Sequence, residues 1–265
     1  MNTEELRLFH SCTSGIVLVA ENVVPAHAVT YIYDGEFVMA NGIETTLLKK
    51  GDLLYNTKNT LFRFTKKGTK ERPYKSITVR FGTQFLKDFF EHNKPDLSQS
   101  VPPRNLHLVS SNLWQAFFTS LQPYVEQQLP IPEDLIIEKQ LEALHLLRNQ
   151  LPGIDHYLAD FGMPGKIDLE AFMNRNYIFN LPLERFATLT GRSLSTFKRD
   201  FAKIFHTTPQ RWLTQKKLEL ARQLMEGKKL KPSQAYVEAG FENLSHFSRA
   251  YKNTFGYSPR QQPNF

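Results

Sequence analysis

The sequence predicts an α+β protein of two domains, an N-terminal β jelly roll or barrel with following helices and a C-terminal all-α domain. Three observations lead to this fold class. Short apolar runs alternate with turn residues over roughly the first 85 positions. The stretch LSTFKRDFAKIF at 194–205 recurs as LSHFSRAYKNTF at 244–255. The net charge of +7 is concentrated in residues 166–265, which hold 17 Lys and Arg against 8 Asp and Glu.

The composition limits the class of protein. The chain has 265 residues, 41% of them hydrophobic, which suffices for buried cores. Its one cysteine, Cys12, excludes an intrachain disulfide and a cysteine-rich zinc module. The first residues are acidic where a signal peptide is basic, and no apolar run approaches the ~20 residues that a membrane helix needs. We therefore expect a soluble, cytoplasmic protein without a membrane partner.

The N-terminal domain is predicted to be a β structure of about seven short strands. Asp34-Gly35 and Asn41-Gly42 are typical of tight hairpin turns, because both central residues of a type I′ turn take positive φ. Short strands at this spacing favour a closed or double-sheet structure. The candidate strands are 15–20, 27–33, 36–41, 44–50, 52–56, 61–66 and 74–81.

Two helices are predicted after the strands, over residues 110–128 and 132–151. The second begins with Pro132 and two acidic residues, which suit the positive end of a helix dipole. Its apolar stripe fits packing within its own domain or pairing with the same helix of a second subunit, and a homodimer through residues 110–151 is our hypothesis. The predicted boundaries are 1–106 for the β domain, 107–160 for a helical dimerisation and linker region, and 167–265 for the C-terminal domain.

The repeated stretch has the pattern of an amphipathic helix in both copies. Ser193 and Asn243 precede the two helices, and both residue types are good N-caps. The expected apolar side consists of Phe197, Phe201, Ile204 and Phe205 in the first copy and of Phe247, Tyr251 and Phe255 in the second. The opposite side is polar and carries one arginine near its centre.

Each copy follows a shorter predicted helix and a turn with glycine, so residues 181–205 and 231–255 each predict a helix-turn-helix. The second helix of such a motif is shaped to enter the major groove of DNA. Between them, residues 208–227 predict a helix with Thr208 as its cap, about 25 Å long. This spacer suits two reading helices about one turn of DNA apart, ~34 Å. A helical repeat that serves packing alone is the alternative.

The C-terminal residues AGFENLSHFSRAYKNTFGYSPRQ at 239–261 resemble the signature of AraC/XylS-type transcription regulators. The first half of the domain resembles the family through Ala187, Gly191, Ser193, Arg199 and Phe201. The resemblance implies a seven-helix domain that binds double-stranded DNA, usually as an activator that contacts RNA polymerase. Tyr236 stands where the family often has alanine, which predicts compensating space beneath the second reading helix. His206 stands where many relatives have glycine, which predicts a different backbone geometry in that turn.

The resemblance assigns DNA contact to the outward residues of both repeated helices. These are Ser195, Thr196, Lys198, Arg199 and Lys203 in the first helix and Leu244, Ser245, His246, Ser248, Arg249 and Lys252 in the second. Arg199 and Arg249 each offer a bidentate fork to a guanine or a phosphate, and lysines at the rim are expected to contact phosphate. An intradomain ion pair is the alternative for each arginine, with Glu242 as the acid nearest Arg249 in sequence.

The β domain looks like the cupin-type sensor domain in front of many such regulators. Enzymatic cupins hold a metal with several histidines and a glutamate, whereas this segment offers His27 and Glu36 and has no histidine in residues 49–64. A lone imidazole is a poor metal site. We therefore expect no enzyme, no cofactor and no metal. The alternative is a metal-dependent cupin enzyme fused to a nucleic-acid-binding domain.

Two kinds of regulation by the β domain remain open from the sequence. A small effector binds inside the barrel, or a protein partner binds the β surface or the helices at 110–151. A solid interior favours the partner. A void lined by Arg63, Arg80 or His27 favours an anionic effector.

Overall fold

The computed structural model of the protein describes residues 8–40, 45–100, 105–127, 130–162 and 165–261. The chain forms two compact units, Met1–Gly162 and Met163–Phe265. The first unit contains two β-sheets and a layer of helices, and the second is helical. The predicted fold class is therefore confirmed. No helix in the described ranges combines the length and the apolar character that crossing a membrane requires.

The described part of the first unit contains nine strands in two antiparallel sheets. They are β1 (Leu8–Thr13), β2 (Ile16–Val23), β3 (His27–Asp34), β4 (Glu36–Ala40), β5 (Thr45–Lys49), β6 (Leu53–Asn56), β7 (Leu61–Lys67), β8 (Tyr74–Phe81) and β9 (Asn105–Leu108). The five-stranded sheet has the order β1-β8-β3-β6-β9, and the four-stranded sheet the order β2-β7-β4-β5. An apolar cluster joins the sheets, with Ile32 and Leu54 from the first and Phe37 and Leu48 from the second.

The Asp34-Gly35 dipeptide does not form the predicted hairpin. Its flanking strands β3 and β4 lie in different sheets, so the turn carries the chain from one sheet to the other. Gly35 has φ +76°, and a Cβ there would lie 2.7 Å from the carbonyl oxygen of Lys67, so glycine is required. The strands β4 and β5 do pair antiparallel. The Asn41-Gly42 dipeptide between them lies outside the described residues.

Helices cover the other face of the five-stranded sheet. They are α1 (Thr83–His92), α2 (Asn112–Glu126), α3 (Glu133–Gln150) and α4 (Asp155–Leu158). Trp114 of α2 and Leu144 and Leu147 of α3 pack in one core with Ile77 of β8. The apolar stripe of α3 thus packs mainly within its own domain. Ile137, near the start of the helix, remains 37% exposed.

Strand β8 separates the two cores of the first unit, because successive side chains of a strand point to opposite faces. Its residues in the core beneath the helices are Ile77, Val79 and Phe81, and those facing the four-stranded sheet are Tyr74, Ser76, Thr78 and Arg80. Gln140 of α3, 2% exposed, donates a hydrogen bond from Nε2 to the backbone carbonyl oxygen of Arg80 at 2.5 Å. Arg80 therefore contacts the interior through its side chain and α3 through its backbone.

The described part of the second unit contains six α-helices and a 3₁₀ turn at Pro259–Gln261, where the resemblance implied seven helices. The helices are α5 (Leu169–Asn176), α6 (Leu183–Leu189), α7 (Leu194–Phe205), α8 (Pro209–Gly227), α9 (Pro232–Glu238) and α10 (Leu244–Phe255). Trp212 of α8 joins an apolar cluster with α5, α6 and α7. Leu218 and Met225 of α8 join a second cluster with α9 and α10. Helix α8 therefore connects two separate small cores.

Candidate nucleic-acid interface

The first repeated helix, α7, begins at a capped turn. The hydroxyl oxygen of Ser193 accepts a hydrogen bond from the backbone N–H of Thr196 at 3.3 Å, which satisfies a donor of the first turn. In the turn between α6 and α7, Gly191 has φ +67°, in the left-handed region that favours glycine. Helix α6, this turn and α7 form a helix-turn-helix.

Helix α7 has a buried side and an exposed side. Phe197 and Phe201 are fully buried, and the ring centroids of Phe201 and Trp212 lie 5.6 Å apart. The exposed residues are Ser195, Lys198, Arg199 and Lys203, with Thr196 half-buried beside them. Ile204, predicted on the apolar side, is 39% exposed, whereas Phe201 and Phe205 contact Trp212.

Arg199 projects from the exposed side of α7. Its side chain is 63% exposed, and its Nε lies 3.6 Å from Oδ1 of Asp200. The Asp200 carboxylate also accepts a shorter hydrogen bond, 3.1 Å, from Nε of Arg192, which lowers the pKa of that carboxyl. Asp200 is therefore held by Arg192, and the guanidinium of Arg199 remains accessible to a phosphate or a base edge.

The second repeated helix, α10, is built in the same way. Oδ1 of Asn243 accepts a hydrogen bond from the backbone N–H of His246 at 3.0 Å. Gly240 in the preceding turn has φ +87°. Phe247 and Tyr251 form the fully buried side of the helix. Helix α9, this turn and α10 are the second helix-turn-helix.

The outward side of α10 carries the remaining candidate residues. Those exposed are Leu244, Ser245, His246, Arg249 and Lys252, and Ser248 is half-buried. Arg249 and Glu242 line one groove of about 530 Å³, and within the described residues no ion pair joins them. Arg249 is thus open to solvent beside an acidic neighbour.

The turns after the two repeated helices share one backbone form. His206 has φ +52° and Gly256 has φ +84°, both in the left-handed region. The N–H of His206 donates to the carbonyl oxygen of Ala202 at 3.0 Å, and that of Gly256 to Lys252 at 2.8 Å. The expected difference in geometry at His206 is therefore wrong. Histidine adopts the glycine-like conformation at an energetic cost.

Tyr236, the other departure from the family pattern, packs at the edge of α10. Its ring centroid lies 6.2 Å from that of Phe247. Ala235, the preceding residue, is fully buried and belongs to the second cluster. The tyrosine thus adds to the packing of α10 and requires no space beneath it.

Helix α8 determines how far apart the two motifs lie. Its 19 residues rise about 28 Å. Thr208 occupies the N-cap position, although its side chain makes no capping hydrogen bond, and Pro209 is the first helical residue. The helix is therefore a spacer comparable in length to one turn of DNA, ~34 Å.

Lys217 in the middle of α8 was not recognised from the sequence. It is 8% exposed, and its ammonium group donates hydrogen bonds to the carbonyl oxygen of Gly240 at 3.0 Å and to Oδ1 of Asn180. Asn180 precedes α6, and Gly240 lies in the turn before α10. Two adjacent lysines on a helix give no signal as to which one is buried, so only the tertiary structure identifies this contact.

A cavity of about 110 Å³ lies between the two sheets of the first unit. Arg80 and Lys66 line it. Arg63 lies on the other face of β7 from Lys66, because side chains alternate along a strand. Nδ1 of His27 pairs with the hydroxyl of Tyr55 at 3.0 Å, and Tyr55 belongs to the core beneath the helices. Within the described ranges no group of three or more His, Cys, Asp or Glu side chains is placed to hold a metal ion.

Comparisons with known families match both units. Residues 186–262 match a family described as a helix-turn-helix domain, and residues 27–152 match the ExsA N-terminal regulatory domain. The match to the ExsA N-terminal regulatory domain includes most of the two sheets and the helices α1 to α3. The match to the helix-turn-helix domain includes most of both motifs of the C-terminal unit.

The chain is also similar in sequence to individual proteins, of which two are described here. The virulence regulon transcriptional activator VirF of Yersinia enterocolitica is 33% identical over 93 residues, which are 35% of this chain and 34% of VirF. The matched segment thus spans about a third of the length of that relative. The transcriptional regulator ExsA of Pseudomonas aeruginosa is 22% identical over 254 residues, which are 94% of this chain and 90% of ExsA.

The structure of unsaturated fatty acid-bound ToxT from Vibrio cholerae aligns with 96% of this chain and 92% of that chain, with a TM-score of 0.42 and 12% identity. The C-terminal unit, with its duplicated, capped helix-turn-helix motifs, matches the helix-turn-helix domain family, and the N-terminal unit matches the ExsA N-terminal regulatory domain. Both units of the chain are thus similar to those of transcription regulators of the AraC/XylS type.

Proposed function

We propose that the chain is a sequence-specific DNA-binding protein that activates transcription, with α7 and α10 in two successive major grooves. One observation carries the proposal. Two capped helices of the same length each bury an aromatic side and expose a polar side, and a single helix of 19 residues joins the two motifs to which they belong. Such a pair of helices suits two grooves on one face of a duplex.

Charge and side-chain chemistry support the same proposal. The last hundred residues carry 17 Lys and Arg against 8 Asp and Glu, and neutralising phosphates releases counterions from DNA. We propose that Arg199 and Arg249 contact base edges and that Lys198, Lys203 and Lys252 contact phosphates. The remaining proposed contacts are Ser195, Thr196, Leu244, Ser245, His246 and Ser248.

Selection of bound duplexes from random oligonucleotides by the full chain, at moderate ionic strength, tests this function. We expect an enriched sequence with two conserved blocks about 10 base pairs apart, centre to centre. Enrichment of one block alone would mean that a single helix reads DNA. No enrichment at all would contradict the proposed function.

We also propose that residues 107–160 form a homodimer and that the bound protein contacts RNA polymerase in the cytoplasm. Exposed apolar side chains on the helical layer support dimerisation, with Leu113 62% and Ile137 37% exposed. Light scattering of the full chain is expected to give a dimer that Ile137→Glu weakens. Leu97→Glu, at another exposed apolar residue, is the matched control. A monomeric full chain would contradict this part of the proposal.

The β domain is proposed to regulate DNA binding through a small effector or a protein partner. The match of residues 27–152 to a regulatory domain supports this role, and the cavity between the sheets favours the effector. A metal-dependent enzyme is the alternative, although the named relatives are transcription regulators. Metal analysis of the purified protein separates the two, because stoichiometric iron, zinc or manganese would favour the enzyme.

A further inference from the structure

The surfaces that enclose the cavity between the two sheets are unusually polar. Facing sheets normally bury apolar side chains between them. Here the five-stranded sheet contributes five polar side chains, Thr30, Asn56, Ser76, Thr78 and Arg80, and the four-stranded sheet contributes Lys66. The hydroxyls of Thr30 and Thr78 bond to each other at 2.9 Å. Aromatic residues, among them Phe9, Phe37, Phe62, Phe64 and Tyr74, supply the rest of the walls.

Asn56 places a hydrogen-bond acceptor at this cavity that no described group of the protein satisfies. Its side chain is 4% exposed, and its Oδ1 has no hydrogen-bond partner in the described structure. A buried polar atom without a partner costs about 1–3 kcal/mol. A group that donates a hydrogen bond inside the cavity would remove this cost.

Lys66, in strand β7 of the four-stranded sheet, places a cationic side chain at the cavity. Its ammonium group donates a hydrogen bond to the hydroxyl of Ser11 at 2.6 Å and lies 5.5–6.0 Å from the ring centroids of Phe9, Phe64 and Tyr74. Burial lowers the pKa of this lysine. A cation in aromatic surroundings loses hydration, which an anion nearby would compensate.

Arg80 adds a second cation from the opposite sheet. Its guanidinium carbon lies 5.6 Å from the ring centroid of Phe9, the same ring that Lys66 approaches. Tyr74 contributes a neutral phenol, because burial raises its pKa to about 12. As far as the structure describes the lining, it holds two cationic side chains and no carboxylate.

We propose that this cavity binds a compact organic anion, with its carboxylate held by Lys66 and Arg80 and its apolar part against the phenylalanine rings. A hydrogen-bond donor on the ligand pairs with Asn56. The volume of about 110 Å³ limits the ligand to a short chain, since a cavity that holds benzene is larger, about 150 Å³. The inference names the chemical class of the effector, so it rests on the proposed regulatory function.

Calorimetric titration of the full chain tests the charge requirement without any variant. The probes are butyrate, lactate and 3-hydroxybutyrate at millimolar concentrations, each compared with its amide of the same shape. We expect at least one acid to bind about tenfold or more tightly than its amide. Equal affinity of acid and amide, or no binding of any acid, would overturn the proposal.

Two neighbouring lysines then test the position of the site. Lys66 faces the cavity, and Lys67, the next residue of β7, is exposed. Lys66→Met is expected to weaken binding of the acid about tenfold or more, and Lys67→Met to leave it unchanged. Circular dichroism checks that both variants fold. An equal loss in both would indicate a nonspecific charge effect and reject the site.

The outcome for the anion is separate from that for DNA. Anion binding is measured without DNA, and selection of oligonucleotides is measured without the acid. Selective DNA binding with no anion binding would reject this inference alone. Anion binding without selective DNA binding would reject the proposed function and leave the site as a ligand site of another kind of protein.

Discussion

The ammonium group of Lys217 lies 3.0 Å from the carbonyl oxygen of Gly240 and also donates a hydrogen bond to Oδ1 of Asn180. One buried cation of α8 therefore connects the segment before α6 with the turn before α10. The two halves of this unit have separate apolar clusters. Lys217 is thus placed to fix the orientation of the second reading helix relative to the first.

Replacement of Lys217 by methionine is expected to affect stability and DNA binding together. The variant leaves one buried and one partly buried oxygen acceptor without this donor, which costs about 1–3 kcal/mol of unfolding free energy. Gel-shift titrations should show a larger loss on a duplex with both half-sites than on either half-site alone. Lys216→Met, at the partly exposed neighbour, serves as the control. Equal losses on all three duplexes would mean that Lys217 does not position the reading helices.

Arg199→Ala is expected to weaken binding to the selected duplex by about 1–3 kcal/mol and to relax one base position. Lys203→Ala, on the same helix, should weaken binding to all sequences alike and reduce the salt dependence by about one phosphate contact. Gel-shift titrations over several salt concentrations measure both effects. An unchanged affinity in Arg199→Ala would exclude a base contact by that side chain.

His206→Gly is expected to stabilise the protein by up to about 1 kcal/mol, because it removes a side chain from a left-handed position. The reverse exchange, Gly256→His, should destabilise it by a similar amount. A Cβ at Gly256 meets nothing within 4 Å, so the backbone conformation alone sets that cost. Urea unfolding of both variants is the measurement. A loss of stability in His206→Gly would show that the imidazole makes a compensating interaction.

The first unit should lose stability in mild acid through His10. Nε2 of neutral His10 pairs with the hydroxyl of Tyr33 at 2.5 Å. Burial lowers the pKa of His10 from 6.5, Lys75 lowers it further, and Glu126 opposes them. Because the pKa in the folded state lies below that in the unfolded state, the stabilisation is full above about pH 6.5 and is lost as the pH falls through the folded value.

Thermal unfolding at about pH 7 and about pH 5 checks this pH dependence. The decrease in Tm should be smaller in His10→Gln than in the natural protein. His92→Gln, at an exposed histidine, should retain the full decrease. An identical decrease in both variants would exclude His10 as its source.

Seven of the described strands could be predicted because their apolar residues form short runs between turn residues. Strands β1 and β9 were missed. Each pairs with one neighbour only, at an edge of the five-stranded sheet, and β9 has four residues. The Asp34-Gly35 pattern indicated a positive φ, which Gly35 has. A local pattern does not show whether the strands on either side pair with each other, and here they do not.

The candidate interface was predictable because it is repeated and follows helical periodicity. Ser193 and Asn243 cap the two helices at the predicted positions. Lys66 and Lys217 were not recognised, because a lysine is normally exposed and its burial depends on segments distant in sequence. Lys217 meets Asn180, 37 positions away, and Lys66 meets Ser11, 55 positions away.

Arg80 takes part in both layers of the first unit, through its side chain in the cavity and through the carbonyl oxygen bound by Gln140 of α3. A molecule that displaces this residue acts on the sheet interior and on the helical layer in one movement. Coupling of this kind is reciprocal. If a bound molecule changes the equilibrium of a contact made by α3 by some factor, that contact changes the affinity for the molecule by the same factor. The effect of a molecule in the cavity can thereby reach α3 while the order of the strands in both sheets stays the same.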